Sequence, residues 1–256
     1  MVNWTIFPFK NVEKGVVRFR ILNGSNERIY NFNLSTWSEF YQIASDWGFL
    51  ESPVKMNSLQ LAPWERAEIL IDFSSYNLWE SVKFQSNYKW EAFDVMEFRV
   101  TKEAKNIFTI PTSLVKIEKI KESESIKTRP FILETMKNWM MWDILTINWK
   151  NMNISRIDEK IKLWTTEIWE IENKRWRWMN FWHPFHIHDI QFQILDRNWK
   201  KPPENERGWK DTVFVKVWEK VRVITKFDDY TWIYMYHCHI LEHEDNWMMW
   251  QFEVVK

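Results

Sequence analysis

Short segments rich in β-branched and aromatic residues follow one another along most of the chain, and they restrict its fold more than any other feature. Val16–Leu22, with the sequence VVRFRIL, is one example. Residues of these types fit the pleated surface of a sheet, and the Asn, Asp, Gly, Pro or Trp residues between the segments mark turns. Helical periodicity is slight. The pattern predicts an all-β protein built from β-sandwiches, with strands at 16–22, 29–34, 66–73, 92–100, 166–171, 190–196, 213–217, 220–227 and 232–236.

The chain has 256 residues, which is enough for one large domain or for two domains of ordinary size. A charged stretch with few large apolar residues lies between Thr101 and Arg129, and such stretches typically connect domains. We therefore predict a first domain at residues 1–110, a linker at 111–128 and a second domain at 129–256. Whether a short helix forms inside the linker stays open at this stage.

The charges of the chain balance, because 35 Lys and Arg residues oppose 35 Asp and Glu residues. A neutral chain offers no electrostatic reason to expect a nucleic acid or an anionic membrane as a partner. No apolar run is long enough to span a membrane, and residues 1–9 do not have the pattern of a secretory signal. The single cysteine, Cys238, excludes an internal disulfide framework.

Tryptophan and glycine occur in unusual numbers, with 20 tryptophans and only 4 glycines. Glycine normally makes up about 7% of a protein, and turns favour it because it adopts positive φ angles without strain. We hypothesise that most of the tryptophans are glycines in the native protein, through UGA codons translated with the wrong genetic code. A protein that is naturally rich in tryptophan is the alternative. The turn-like pairs that hold tryptophan where glycine is expected are 3–4, 46–47, 63–64, 148–149 and 198–199.

All six histidines lie in two short segments, HPFHIH and HCHILEH, and the second segment also contains the cysteine. Histidines with unrelated surface roles would be scattered, so this grouping indicates a metal site. Alternate side chains of a strand point to the same face of the sheet, so His186 and His188 would share a face. In the same way His237 would face with His239, and Cys238 would face away from both. One strand would then serve two metal centres.

Copper is the metal that these ligand types favour. His243 follows Cys238 by five residues and Met248 follows His243 by five, as in a loop that returns to a metal. A thiolate, two imidazoles and a weak thioether form the ligand set of a blue-copper electron-transfer site, and His183 is the best candidate for the second imidazole. Zinc is the first rival, but its structural sites usually contain CxxC pairs, which one cysteine cannot form. A cupin-like site is the second rival, but no glutamate follows either HxH pair at the distance that such a site requires.

The two histidine segments resemble the C-terminal copper motifs of multicopper oxidases, especially spore-coat laccases and the related bilirubin oxidases. The resembling stretches are HPFHIH and YMYHCHILEHEDNWMM, together with VRFRILNGSN, MNSLQLAPWERAEILIDF, TTEIWEIEN and ERGWKDTV, so the likeness covers most of the chain. The resemblance implies two cupredoxin-like Greek-key β-sandwich domains, of which the first is incomplete.

The resemblance also implies a role for each ligand candidate. Type 1 copper, the blue site, would be held by His183, Cys238, His243 and an axial Met248. The remaining histidines would belong to a trinuclear copper cluster. Among these, His186 would bind type 2 copper, and His188, His237 and His239 would bind the type 3 pair. Glu244 matches an acidic residue that helps to move protons near the cluster, so Cys238 and Glu244 are the predicted catalytic residues.

The chain departs from the family in one respect. The family's cluster takes eight histidines from four HxH motifs, two of which lie in an N-terminal cupredoxin domain that this sequence does not contain. This sequence would supply one of two type 2 ligands and three of six type 3 ligands. A missing N-terminal domain or a partner chain would have to complete the cluster.

The expected function is oxidation of a phenolic, other organic or metal-ion donor at type 1 copper, with reduction of dioxygen to water at the cluster. Two alternatives stay open: a single-copper electron-transfer cupredoxin, and an inactive fragment of an oxidase. By resemblance alone, we expect the protein to work outside the cytoplasm, in the periplasm, at the cell surface or in a spore coat.

Overall fold

The computed structural model describes residues 1–88, 91–137, 143–174 and 181–256. The chain divides into two compact units, Met1–Lys116 and Ile117–Lys256. Both units consist of β-sheets, so the prediction of an all-β fold is confirmed. No helix among the described residues has the length and apolar character needed to cross a membrane. The domain and linker limits given above remain predictions.

The N-terminal unit contains two sheets, with the strand orders β1-β9-β8-β3-β6 and β2-β7-β4-β5. Its core is formed by buried aromatic and aliphatic side chains such as Phe73 and Phe98, whose ring centroids are 5.5 Å apart. The strands of this unit are β1 (Phe9–Lys14), β2 (Val16–Leu22), β3 (Tyr30–Leu34), β4 (Phe40–Ser45), β5 (Gly48–Met56), β6 (Leu59–Leu61), β7 (Arg66–Asp72), β8 (Ser81–Tyr88) and β9 (Glu91–Glu103).

The C-terminal unit also contains two sheets, with the strand orders β11-β10-β13-β17-β15 and β12-β19-β18-β14-β16. The short helix α1 (Leu241–Asp245) follows β18, and 3-10 turns occupy Glu122–Glu124 and Glu204–Glu206. The strands of this unit are β10 (Ser125–Lys137), β11 (Asp143–Ile147), β12 (Glu159–Lys162), β13 (Thr165–Lys174), β14 (His183–Ile187), β15 (Phe192–Arg197), β16 (Thr212–Val215), β17 (Lys220–Phe227), β18 (Ile233–Cys238) and β19 (Met249–Val255).

The strands predicted at 16–22 and 220–227 have the same limits in the structure, and the other predicted strands overlap observed ones. Several strands are not apparent from the sequence, and β10 is one of them. It contains Pro130, which cannot donate a backbone hydrogen bond and therefore argues against a strand when only the sequence is read. The 3-10 turn at Glu122–Glu124 resolves the open question of a helix before β10.

Trp169 lies at the centre of the C-terminal core and is completely buried. Its ring centroid is 4.4 Å from that of Phe131 and 5.3 Å from that of Tyr236. Phe131 and Trp169 belong to one sheet and Tyr236 to the other, so these rings join the two layers. Burial of each such side chain contributes about 1.5–3 kcal/mol. Cys238 is buried in the same core.

The tryptophans have an unusual backbone conformation. Of the fifteen that the structure describes, nine have φ angles between 56° and 70°. The left-handed region costs a residue with a side chain roughly 1–2 kcal/mol, and a whole domain is stable by only about 5–15 kcal/mol. The nine are residues 4, 37, 64, 79, 149, 164, 199, 218 and 247.

Among the pairs that were suspected from the sequence, only 46–47 lacks a tryptophan of positive φ, and there the following residue, Gly48, has φ 130°. Five tryptophans, at 90, 139, 142, 176 and 178, lie outside the described residues. The conformation of the nine is the one that glycine adopts without a steric penalty.

The substitution Trp149→Gly is expected to stabilise the protein. Trp149 is exposed and has φ 66°, so glycine relieves backbone strain without loss of packing. The free energy of unfolding, measured by denaturant titration, should rise by about 1 kcal/mol. Trp232→Gly is the matched control, because Trp232 is also exposed but is not among the positive-φ residues. Equal effects at the two positions would contradict this explanation.

Candidate metal centre

The antiparallel pairing of β14 with β18 assigns each candidate ligand to a face of the sheet. His186 lies opposite His237, and Phe185 lies opposite Cys238. Residues directly opposite each other in an antiparallel pair share a face. Phe185 and Cys238 are both fully buried in the core, whereas His186 is half-buried on the other face. His183 is two residues from Phe185 and therefore faces the core with Cys238.

The first group of ligand atoms lies on the core side and consists of His183, Cys238 and His243. The Sγ atom of Cys238 is 3.4 Å from Nδ1 of His183 and 3.5 Å from Nδ1 of His243. The two Nδ1 atoms are 3.3 Å apart. All three residues are buried. The helix α1 follows β18 and contains His243, so it brings this side chain back beside Cys238.

These three atoms fit a copper ion of the blue type. They form a nearly equilateral triangle whose centre lies about 2 Å from each atom, a usual length for a bond from a metal to nitrogen or sulfur. A trigonal arrangement of two imidazoles and one thiolate is the arrangement found in blue-copper sites. Two nitrogen donors and one sulfur donor, all shielded from water, also match the chemistry that such a site requires.

Met248 is placed beside this group by two backbone hydrogen bonds. Its carbonyl oxygen accepts from the N–H of Cys238 at 3.1 Å, and its N–H donates to the carbonyl oxygen of His243 at 3.0 Å. The side chain is completely buried in the same core. Its predicted role as the weak axial ligand stays a prediction.

The second group lies on the other face of the sheet and consists of His186, His188 and His237. Their ligand atoms lie within 4.8 Å of one another. The Nε2 atoms of His188 and His237 are 3.1 Å apart. His186 turns its Nδ1 atom toward the carbonyl oxygen of Asp211 at 3.0 Å and toward Oγ1 of Thr212 at 3.1 Å. That contact leaves Nε2 of His186 available to a metal.

His239 lies beside the second group, with its ring centroid 5.1 Å from that of His237 and 5.5 Å from that of His186. The spacing of His239 and His243 equals the HxxxH spacing of many zinc sites. The structure separates them, however, because His243 belongs to the group around Cys238 and His239 lies with the other histidines. The pair therefore does not form a common site among the described residues.

Burial keeps the imidazoles neutral. Desolvation lowers the pKa of His186 to about 3 and that of His239 to about 4. It also lowers the pKa of His183, in that case well below the usual value. Neutral imidazoles keep a lone pair for a metal. Burial has the opposite effect on the Cys238 thiol, whose pKa rises, so a thiolate at this position needs a cation beside it.

Glu244, the predicted proton carrier, approaches the second group from α1. Its Oε2 atom is 3.4 Å from Nδ1 of His237. The Nδ1 atom of His237 is also 3.1 Å from the carbonyl oxygen of Cys238. Burial is the main reason that the pKa of Glu244 is raised, and the neighbouring Asp245 raises it further. The carboxyl group therefore holds a proton more readily than an exposed glutamate does.

Several residues that contact the ligand candidates were not predicted from the sequence. Asp211 and Thr212 contact Nδ1 of His186, and both lie in the quoted motif ERGWKDTV, whose likeness to the family gave a signal. Thr135, in β10, contacts Nε2 of His183 at 3.3 Å. It is 48 residues away from His183 in the chain, and no motif marks it.

Comparison with known proteins identifies a family for this chain. The profile of the multicopper oxidase family matches residues 125–256. The multicopper oxidase mco of Staphylococcus aureus is 37% identical over 100% of this chain and 52% of its own length. The laccase of Bacillus subtilis is 34% identical over 97% of this chain and 53% of its own length. The chain thus spans about half the length of these relatives.

A solved structure shows the same architecture. The multi-copper oxidase of Pediococcus acidilactici is 37% identical and superposes with a TM-score of 0.88, covering 97% of this chain and 51% of that one. The resemblance inferred from the copper motifs is therefore confirmed, and so is the fold of cupredoxin-like sandwich domains.

The division into two groups predicts different effects for two substitutions. Cys238→Ser should abolish the intense blue absorption of the copper-loaded protein, because the thiolate is the ligand that distinguishes a blue-copper site. His188→Ala should leave the blue band in place, since His188 lies on the opposite face of the sheet. Absorption spectra of both variants loaded with Cu²⁺ provide the measurement. A blue Cys238→Ser variant would refute the ligand assignment.

Proposed function

The chain belongs to the multicopper oxidase family, and we propose that it provides the part of such an enzyme that receives electrons from a reducing substrate at a blue-copper site. His183, Cys238, His243 and Met248 would hold that copper. His186 would hold type 2 copper, and His188, His237 and His239 would contribute to the type 3 pair. Bound copper would supply the one-electron redox chemistry by alternating between its cuprous and cupric states.

One observation carries this proposal: Cys238 belongs to the first group while its neighbour His237 belongs to the second. The two side chains are separated only by the backbone of adjacent residues, which gives a covalent route between the two sites. His239 offers a second route of the same length on the other side of Cys238. A structural metal site has no need of such a connection.

His243 is the proposed point at which electrons enter. It is 8% exposed, whereas His183 is 1% exposed and Cys238 is completely buried. A donor molecule therefore comes nearer to His243 than to the other ligands. The donor is proposed to be a small phenolic or other organic molecule, or a metal ion. The described residues do not distinguish between these donor classes.

Glu244 is the proposed proton carrier. Reduction of dioxygen to water consumes protons as well as electrons, and a carboxyl group must bind and release protons near neutral pH to supply them. The raised pKa of Glu244 and its contact with Nδ1 of His237 support this role.

Four histidines of this sequence would serve a cluster that takes eight in the family. The others would come from further residues of a longer protein or from a partner chain. The chain covers 52% of the length of its Staphylococcus aureus relative, which is consistent with either source. We propose that the protein acts outside the cytoplasm, as an extension of the family resemblance.

A single-copper electron carrier is the second candidate function. It is favoured by the completeness of the first group, whose ligand atoms already form a nearly equilateral triangle. In that case the donor and the acceptor would both exchange electrons at the first group, and dioxygen would not be reduced.

Copper analysis combined with an oxygen electrode separates these functions. The oxidase proposal predicts a blue band, further copper bound by the second group, and oxygen uptake with a phenolic donor when the remaining cluster ligands are supplied. One blue copper per chain without oxygen uptake under those conditions would support the electron carrier. A chain that binds no blue copper would contradict both proposed functions and would indicate an inactive fragment of an oxidase.

A further inference from the structure

We propose that Thr135 is a positioning residue that fixes the ring of His183 for copper, an inference that rests on the proposed function. Oγ1 of Thr135 is 3.3 Å from Nε2 of His183, and both residues are buried. Nδ1 of the same ring points into the first group, where it is 3.4 Å from Sγ of Cys238. The two ring nitrogens of His183 thus face two different partners.

This arrangement selects one tautomer of the imidazole. A nitrogen that binds a metal must keep its lone pair, so Nδ1 cannot carry the proton. Nε2–H then donates to Oγ1 of Thr135. Partners of this kind orient the ring of a metal ligand and increase its basicity, and their loss typically weakens metal affinity.

The position of Thr135 in its strand supports a specific role for the hydroxyl group. Phe131, Leu133 and Thr135 alternate along β10 and face the same side, and the first two are completely buried in the apolar core. An apolar residue would continue this row. Most buried hydroxyl groups have a hydrogen-bond partner, and for Thr135 that partner is His183.

The contact also connects the two layers of the sandwich. β10 belongs to one sheet of the C-terminal unit, and β14, which holds His183, belongs to the other. The ring of His183 is therefore fixed from both sides, by its own strand and by the facing sheet. Such a ring has little freedom to turn away when copper changes its oxidation state.

Three variants of the full chain test the proposal. Thr135→Val removes the hydroxyl with little change of shape, and Thr135→Ser keeps it. Thr146→Val is the matched control, because Thr146 is a buried threonine of the neighbouring strand whose hydroxyl has no hydrogen-bond partner among the described residues. The measurements are the Cu²⁺ affinity, by competition with a chelator, the reduction potential, and the melting temperature of the metal-free protein.

Thr135→Val should lower the Cu²⁺ affinity about 10-fold. It should also raise the reduction potential, since a less basic imidazole stabilises the cupric state less. Thr135→Ser and Thr146→Val should keep the parent's affinity and potential. Metal-free Thr135→Val should stay folded but melt below Thr146→Val, because only the first substitution removes a buried hydrogen bond.

Parental affinity and potential in Thr135→Val would overturn the proposal, as would an equal loss in Thr146→Val. A parent chain without a blue copper would instead contradict the proposed function.

A different observation carries a second proposal. We infer that the nine left-handed tryptophans are glycines in the protein that its own cell makes, because that cell reads their codons as glycine. Three of them follow asparagine in two-residue loops: Asn3–Trp4 with φ angles of 45° and 65°, Asn148–Trp149 with 51° and 66°, and Asn198–Trp199 with 49° and 63°.

Each of these loops has the geometry of a tight β-hairpin. The residues that flank Asn148–Trp149, Ile147 and Lys150, exchange two backbone hydrogen bonds of 3.2 Å. Val2 and Thr5 also exchange two backbone hydrogen bonds, of 2.8 and 2.9 Å, and so do Arg197 and Lys200, at 2.9 and 3.0 Å. A two-residue hairpin loop with positive φ at both positions is a type I′ turn, and Asn-Gly is the sequence that this turn prefers most strongly.

Three further tryptophans occupy the third position of a hydrogen-bonded turn. Trp64 has φ 70° in the turn closed by Glu65 N–H and the carbonyl oxygen of Ala62, at 3.0 Å. Pro63 precedes it, and Pro followed by Gly is typical of a type II turn. Trp79 and Trp218 hold the corresponding position in the turns that end at Glu80 and Glu219.

Trp247 connects this inference to the copper site. It follows α1 and Asn246, has φ 70°, and its N–H donates to the carbonyl oxygen of Glu244 at 3.0 Å. A left-handed residue that ends a helix is usually glycine. The next residue is Met248, so glycine at 247 would let the loop turn from α1 into the first group without strain.

Peptide mass spectrometry of the protein purified from its own cell tests the inference, together with the codons of the gene. Glycine is expected at the nine positions with UGA codons. Tryptophan is expected at Trp169, which is completely buried and is not among the positive-φ residues, with a UGG codon. Tryptophan in the native peptides that contain residues 4, 149 and 199 would overturn the inference, and so would UGG codons at these positions.

Discussion

The antiparallel pairing of β14 with β18 decides on which face of the sheet each metal-binding side chain lies. His186 opposes His237 and Phe185 opposes Cys238, so one face collects imidazoles and the other collects the thiolate. Because side chains alternate along a strand, a slip of one residue in this register would exchange the two faces. Cys238 would then lie among the histidines, and neither group of ligands would form. The bonds from Cys238 N–H to Met248 and from His239 N–H to Pro184 hold the end of β18 in place.

Packing behind this strand pair gives the first group its properties. Phe185 and Tyr236 lie in the same core as Trp169 and Phe131, and their rings exclude water from the side of Cys238. In such surroundings an isolated thiolate is unfavourable, and burial accordingly raises the pKa of Cys238. A bound cation stabilises the thiolate, so metal binding and loss of the thiol proton are coupled. The second group differs, since His186 and His188 are only half-buried, although His237 is buried.

The sequence predicted those features that depend on local pattern. Alternation identified β2 and β17 with correct limits, and the same rule placed His186 with His188 and set Cys238 apart from His237. Features that depend on long-range pairing were not predictable. β10 carries a proline that argues against a strand, yet β13 pairs with it in parallel. Thr135 contacts His183 across the sandwich, and nothing in the sequence of either segment indicates this contact. The HxxxH spacing of His239 and His243 was similarly uninformative, because the chain turns between them into α1.

The central claim is that Cys238, His183 and His243 bind one copper ion together. X-ray absorption spectroscopy at the copper edge, on the chain loaded with one equivalent of Cu²⁺, tests it most directly because it reports the atoms bound to the metal. The account predicts one short bond to sulfur and two bonds to imidazole nitrogens. A copper environment made only of nitrogen and oxygen atoms would contradict it, because copper would then occupy the histidines of the other face or the surface.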